Sequence, residues 1–291
     1  MPVLSDVLAQ ALNGLAYGVL LFLLSVGLTL IFGMLDVVNL AHGSFYMLGA
    51  YAGLTLIAVT GGNFWLALVL APVVVGLIGA VVEQTCLRPL YRRSALDQVL
   101  LTFGFIYLFE DLVKWIWGGK IRSIPAPALF AGSVSLGGAT YPSYRLFVIG
   151  FGLCMAVALW LLIERTRLGA IVRAGVFDAE MTAGMGVNIR RVFTLVFAFG
   201  TALGGLSGVI AGPIQSAQPP MGATILVPAL IVVVVGGLGS LKGSLVGSLI
   251  IGQAETLGKA WLPGASMLMI YLVMALILLF RPQGLFGRQL K

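Results

Sequence analysis

The sequence predicts an all-α polytopic membrane protein of about eight transmembrane segments, some broken or re-entrant, with a weak internal repeat. Three observations predict it. Of 291 residues, 60% are hydrophobic and 9% charged, against about 25% charged in a soluble domain. The mean hydropathy is +1.08, with apolar runs close to the roughly 20 residues that a bilayer-crossing helix needs. There are 39 glycines, and small residues let helices approach closely in lipid. No water-soluble domain fits into the remaining polar residues, so residues 1–291 read as one transmembrane domain.

The candidate spans are 8–33, 37–59, 64–86, 96–117, 145–163, 192–212 and 265–280. MPVLSDVLAQ has no basic n-region and no small-residue cleavage site, so the first run is expected to stay as a span. The stretch 224–257 is apolar but broken at GGLGSLKGS (236–244), and reads as two half-length helices that dip in and return. Trp65, Trp115 and Trp117 fall at span ends, where interfacial tryptophans belong.

Basic residues give a direction. With the N-terminus outside, the inner loops 34–36, 87–95, 164–191 and 239–243 and the tail from Arg281 hold 12 of the 17 Lys and Arg residues. Arg88, Arg92, Arg93, Arg190, Arg191, Arg281, Arg288 and Lys291 are among them. Because positive charge collects on the cytoplasmic side, the N-terminus is expected outside and the C-terminus inside. Without a return near 236–244 the basic tail would face the wrong way.

Gly200, Gly204, Gly208 and Gly212 recur every four residues, as do Gly239, Gly243 and Gly247. A step of four keeps each set near one helix face. That face serves close helix packing, or in part borders a passage. NLAHGSFYMLGAYAG (39–53) also rhymes faintly with GGLGSLKGSLVGSLIIG (236–252), and internal repeats with broken helices are common in transporters. In the long inner loop, Val172, Val176, Ala179 and Ala183 line one face of a short amphipathic helix. Gly184 and Gly186 would end it, and Asn188 would cap the next span. Such a helix fits a membrane surface or a partner's groove. The loop 118–144 covers the outer mouth or simply connects two spans.

Several chemistries are excluded. The Gly258–Lys259 pair is followed by Ala260 and lacks the rest of a phosphate-binding loop. One histidine, His42, cannot build a metal centre of several ligands. Cys86 and Cys154 form no CxxC pair and read as structural thiols. No G-x-S-x-G elbow occurs, so an enzyme is not expected. The net charge of +7 belongs with cytoplasmic loops rather than nucleic acid. Glu83, Glu110, Asp111 and Lys114 lie within or at the ends of spans; Glu110 and Lys114, four apart, can pair. They serve structure, or a proton pathway.

Four stretches, in order, carry a resemblance: VVNLAHGSFYMLGAY (37–51), RTRLGAIVRAG (165–175) with MGVNI (185–189), VVVVGGLGSLKGSLVG (232–247) and RPQGLFG (281–287). The chain resembles permeases of the LivH type, the membrane subunits of branched-chain amino-acid ABC importers, from about Asn13 to Gly287. The resemblance implies a permease domain in the bacterial inner membrane, paired with a related LivM-like permease. It also implies two cytoplasmic ATPases and a periplasmic binding protein that delivers substrate. ATP is then used by the partners, and this chain binds no cofactor. By the same resemblance Asn39, Ala41, His42 and Gly43 belong to a break in the second span, and Asn39, His42, Gly43 and Ser44 become substrate-path candidates together with Gly236, Gly237, Gly239 and Ser240. Where many relatives carry Glu after His-Gly, this chain has Ser44, pointing to a less cationic or more apolar ligand. The family's coupling pattern E-A-A-x-x-x-G is matched at its ends by Glu180 and Gly186, with Met181 and Thr182 in place of the alanines. Coupling candidates are therefore Arg173, Asp178, Glu180, Ala183 and Gly186. Substrates in such systems extend from leucine, isoleucine and valine to urea, short amides and aromatic acids. A stand-alone transporter or channel is the alternative.

Overall fold

The structure, a computed structural model, describes residues 4–136 and 139–287. Arg288 and Lys291 of the basic tail lie outside the described residues. The first helix, α1 (Leu4–Leu35), has 32 residues and a length of about 48 Å. Leu20 to Leu24 are buried in succession, so every face of α1 is covered. A helix apolar all round is a central one.

After α1 come α2 (His42–Val59), α3 (Phe64–Val82), α4 (Ala95–Trp117) and α5 (Ser143–Arg165). The short α6 (Arg167–Phe177) and α7 (Ala179–Gly184) precede α8 (Ile189–Gln215), α9 (Met221–Gly236), α10 (Leu241–Trp261) and α11 (Ser266–Phe280). Among the described residues, five helices are long and apolar enough to cross a membrane: α1, α2, α3 with its extension to Leu90, α5 and α8. α9 and α11 are apolar but shorter. α4 and α10 have the length, with 23 and 21 residues, but carry charges. The outer faces of α4, α5 and α11 expose Leu100, Phe103, Leu153, Val157, Leu272 and Leu276, which suits contact with lipid.

The glycine stripes pack helix against helix. A Cβ on Gly200 would sit 2.8 Å from the Gly27 carbonyl oxygen, and one on Gly205 2.9 Å from Val75 Cβ. On Gly252 it would stand 2.6 Å from Gly18 Cα. α8 therefore meets α1 and α3, and α10 meets α1, at backbone distance. Hydroxyls add cross-links: Ser207 Oγ donates to Leu20 O at 2.9 Å, Ser25 Oγ to Ala229 O at 3.3 Å, and Thr29 and Ser244 share a 2.7 Å bond. Such interhelical bonds contribute about 0.6 kcal/mol on average in lipid.

Three elements depart from the sequence reading. The break expected at 236–244 is a tight turn at 237–240, with Gly237 and Gly239 at positive φ. Its flanking helices have 16 and 21 residues, longer than half a membrane, and meet at backbone distance beside the turn through Gly236 and Gly243. The amphipathic face drawn through Val172, Val176, Ala179 and Ala183 crosses a break at Asp178, whose side chain accepts from Met181 N and starts α7. Loop 118–144 holds a small antiparallel hairpin, β1 (Ser133–Leu136) with β2 (Ala139–Pro142). The loop lies on the end of α8: Arg122 pairs with Ala217, and Ile124 packs by Gly212.

Candidate functional site

Three groups of candidates fall in three places. α1 ends at Leu35, and Asp36 adopts φ 54°, turning the chain back. Residues 36–39 run without helix or strand structure, and α2 begins at His42 with no side-chain cap on Ala41. His42 is fully buried, and its Nε2 lies 3.0 Å from Leu24 O. The carbonyl can only accept, so Nε2 carries the proton and Nδ1 is an acceptor; Nδ1 is buried without a partner. Leu24 lies eleven residues inside the end of α1, about 16 Å deep at 1.5 Å per residue. In a core about 30 Å thick, α2 thus starts near the middle.

Asn39 is 1% exposed, and both its amide oxygen and nitrogen are buried without a hydrogen-bond partner. An unpaired buried amide is costly, and one at this depth beside irregular backbone is tolerated only where protein or water can serve it. Gly43 lets α2 meet α9: a Cβ would fall on the Gly222 carbonyl, and Gly222 in turn lies against Gly43 O. Ser44 is buried beside it. The sequence reading ran the second span from 37 to 59 with a break around residues 39–43; the structure has irregular chain and a turn at 36–41 and helix from His42, so the interruption lies before α2 rather than inside it.

Gly236, Gly237, Gly239 and Ser240 gather elsewhere, at the end of the bundle that carries Arg88, Arg173 and Arg190. Ser240 Oγ accepts from Gly243 N at 3.1 Å and caps α10. The chain end folds over this turn: Leu285 N donates to Val235 O at 2.8 Å and Phe286 N to Gly236 O at 3.0 Å. A Cβ on Gly239 would stand 3.7 Å from Gly33 Cα. Gly33 lies six residues along α1 from Gly27, which borders His42. The turn and the Asn39 region are therefore separated by about 9 Å along that helix.

The coupling candidates occupy α6, α7 and the turn after them. The Arg173 guanidinium donates to Ile163 O and stands 3.4 Å from Glu164 Oε2. It ties α6 back to α5. Asp178 is the N-cap just described. Glu180 and Ala183 are exposed, and Gly186 has φ 88°, which only glycine adopts freely. Asn188 caps α8, its Oδ1 accepting from Arg191 N at 3.2 Å. Sequence reasoning missed Phe177, Met181 and Met185, which are 82%, 68% and 83% exposed. Their spacing of four was the available signal. All three are exposed apolar side chains in or beside α7, on either side of the break at Asp178.

The acids are paired. Glu83 is fully buried and takes Arg88 Nη2 at 2.8 Å, Tyr91 OH at 2.9 Å and Thr194 Oγ1 at 2.7 Å. Burial, then the Glu83 carboxylate, pushes the Tyr91 phenol well above its usual range. A π-helical turn at Glu83–Leu87 re-aims the end of α3 to make this cluster. Glu110 pairs with Lys114 at 2.8 Å, as the spacing predicted.

Long apolar helices packed at glycine contacts, with irregular backbone between α1 and α2, define a polytopic membrane protein. Residues 10–278 match the family described as "Branched-chain amino acid transport system / permease component", and the chain belongs to that family. It is 30% identical to the high-affinity branched-chain amino acid transport system permease protein BraD of Pseudomonas aeruginosa, over 99% of this chain and 98% of that one. It is 29% identical to LivH of Escherichia coli K12, over 97% and 96%. LivM of the same organism is 28% identical over 90% of this chain and 67% of that one. Among solved structures, PsaBC from Streptococcus pneumoniae shares the fold, with a TM-score of 0.50, 15% identity, and coverage of 92% and 89%.

Proposed function

We propose that this chain is the permease subunit of an ABC importer, lining the path for branched-chain amino acids or a related small amphipathic solute. The family match across residues 10–278 carries the reading. It is a multi-pass protein of the bacterial inner membrane, one permease domain, with its N-terminus periplasmic and its C-terminus cytoplasmic. The concentration of Arg88, Arg92, Arg93, Arg173, Arg190 and Arg191 toward one side supports that direction.

Asn39, His42, Gly43 and Ser44 border the path at mid-depth, where the bare Asn39 amide offers weak polar contact to a passing solute. Gly236, Gly237, Gly239 and Ser240 shape its inner end. A second, LivM-like permease completes the path, and a periplasmic binding protein loads it. Two cytoplasmic ATPases receive α7: Phe177, Met181 and Met185 fill an apolar groove, Glu180 and Ala183 flank it, and Gly186 sets the turn. Nucleotide stays with those ATPases, and this chain needs no cofactor.

The test is ATP-dependent uptake of labelled leucine, isoleucine and valine by vesicles holding this chain with its neighbouring ATPase, permease and binding-protein genes. Uptake that needs all components supports the reading. Uptake by this chain alone, without ATP, replaces it with a stand-alone transporter.

A further inference from the structure

Beside the first turns of α8, the extension of α3 to Leu90 leaves a cleft of about 490 Å³, lined by Arg88, Arg190, Arg191, Thr194 and Leu195. A second cleft of about 490 Å³ shares Arg88 and Arg190 and adds Arg92. No carboxylate lines either one among the described residues. Arg88 is engaged, with Glu83 at 2.8 Å and with Thr194 Oγ1, which itself donates to Arg190 O at 3.1 Å. Arg92, Arg190 and Arg191 take part in no ion pair among the described residues. Arg190 and Arg191 are consecutive, with Cα atoms about 3.8 Å apart. They also stand in the first turn of α8, where the helix dipole opposes cations. An anion in this cleft would relieve both strains.

The second observation is apolar and independent of charge. Leu195 also borders a groove of about 250 Å³ between α5, α6 and α8. Leu162, Leu168, Val172, Val192 and Phe199 contribute to its walls, and every side chain on it is hydrocarbon. Val192, Leu195 and Phe199 are spaced three and four apart, so one face of α8 leads from the arginines into the groove. From Arg191 to Phe199 that face descends about 12 Å. α8 is long and apolar enough to cross a membrane, which puts its first turn at headgroup level and Phe199 among acyl chains.

We propose that this end of α8 binds one anionic phospholipid, its phosphate on Arg190 and Arg191 and one acyl chain running past Leu195 into the groove. Guanidinium forks match phosphate oxygens, and basic pockets between membrane helices suit anionic headgroups. A zwitterionic headgroup would bring its cation to a cleft with no acid to receive it. A soluble phosphate would leave the groove unfilled. Leu168 and Val172 belong to α6, so the acyl chain fills the space between α6 and α8. The proposal needs a membrane-embedded chain and does not depend on which solute is carried.

The test titrates the full-length chain, purified in detergent, with dioleoyl phosphatidylglycerol, dioleoyl phosphatidylcholine or glycerol 3-phosphate. Native mass spectrometry counts the retained ligands. One phosphatidylglycerol is expected to bind about tenfold more tightly than phosphatidylcholine, and glycerol 3-phosphate not to bind. Arg190→Gln with Arg191→Gln is expected to erase the preference, and Lys at both positions to keep most of it. Leu195→Asn is expected to weaken both lipids and leave their ratio. All three side chains are exposed, so the unfolding temperature without added lipid should match wild type. Phosphatidylglycerol should raise it in wild type and not in the double Gln variant. Equal retention of the two lipids by wild type, or an undiminished preference in the double Gln variant, overturns the site. Glycerol 3-phosphate binding as tightly as the lipid makes the cleft a soluble-phosphate site and overturns the lipid assignment. Loss of co-purifying ATPase in the double Gln variant at unchanged lipid binding assigns the arginines to a protein contact instead.

Discussion

Tyr46 donates a 3.0 Å hydrogen bond to Gln215 Oε1, joining the first turns of α2 to the last residue of α8. Tyr46 lies one helical turn beyond His42, and Gln215 lines a cavity with Arg145, Glu255 and Lys259. The buried polar residues at mid-depth and the charged cavity are thus neighbours through one bond. Tyr46→Phe, which breaks only that bond, is expected to leave the protein folded and to alter the uptake rate of leucine several-fold. Identical kinetics in the variant would separate the two regions.

Asn39 separates function from stability. It makes no hydrogen bond that Asn39→Ala could remove, so thermal stability should stay within about 0.5 kcal/mol of wild type or rise. Leucine uptake should fall. His42→Ala does lose a bond, to Leu24, and should cost about 1 kcal/mol beyond the cavity it leaves. Thermal unfolding in detergent alongside vesicle uptake reads both. Normal uptake in both variants would make these residues packing only.

Glu83 anchors the end of α3 to the first turns of α8. Replacing Arg88 by Met leaves the buried carboxylate short of its counter-ion, and a loss of about 3–5 kcal/mol is expected. Thr194→Val removes a single donor and should cost about 1–2 kcal/mol. A smaller loss for Arg88→Met than for Thr194→Val, measured by thermal unfolding, would contradict the pairing.

Charge reversal at Glu180, or Leu in place of Gly186 at φ 88°, should leave the bundle intact and uncouple it. ATPase activity should then no longer rise with loaded binding protein, and uptake should drop. Serine at Phe177, Met181 and Met185 together should weaken ATPase retention during purification. Full coupling in all three variants would move the docking surface elsewhere.

Glu110→Gln breaks an ion pair with a partly exposed lysine. Exposed pairs of this kind contribute little, so uptake and its pH profile should match wild type. A pH dependence lost in Glu110→Gln would instead revive a proton-coupled role.

The spans were legible because length and apolarity carry them. The expected 64–86, 96–117 and 265–280 correspond to helices beginning at Phe64, Ala95 and Ser266. The start of α2 was not, since VVNLA (37–41) is as apolar as a helix and hydropathy has no phase when both faces are buried. The positive φ at Asp36 decides it, and nothing in a non-glycine residue announces that. The division between α6 and α7 had a signal in Asp178, a good N-cap, masked by a four-residue spacing that happened to cross it. The cavity lined by Arg145 and Glu255 brings together residues 110 positions apart in the chain, a meeting that only the tertiary arrangement of α5 and α10 creates. The Glu83 cluster likewise needs Thr194 from a distant helix.

The entry of α2 at half depth has a consequence for biogenesis. Helices α1 and α3 can leave the translocon into lipid on their own, since their peptide groups are internally bonded. The stretch from Asp36 to Ala41 cannot, and the residue that seats its Gly43, Gly222, is made almost two hundred positions later. α2 must therefore wait at the protein-conducting channel, or lie shallow beside it, until α8 and α9 have been synthesised, and a chain truncated before them should be handed to membrane proteases.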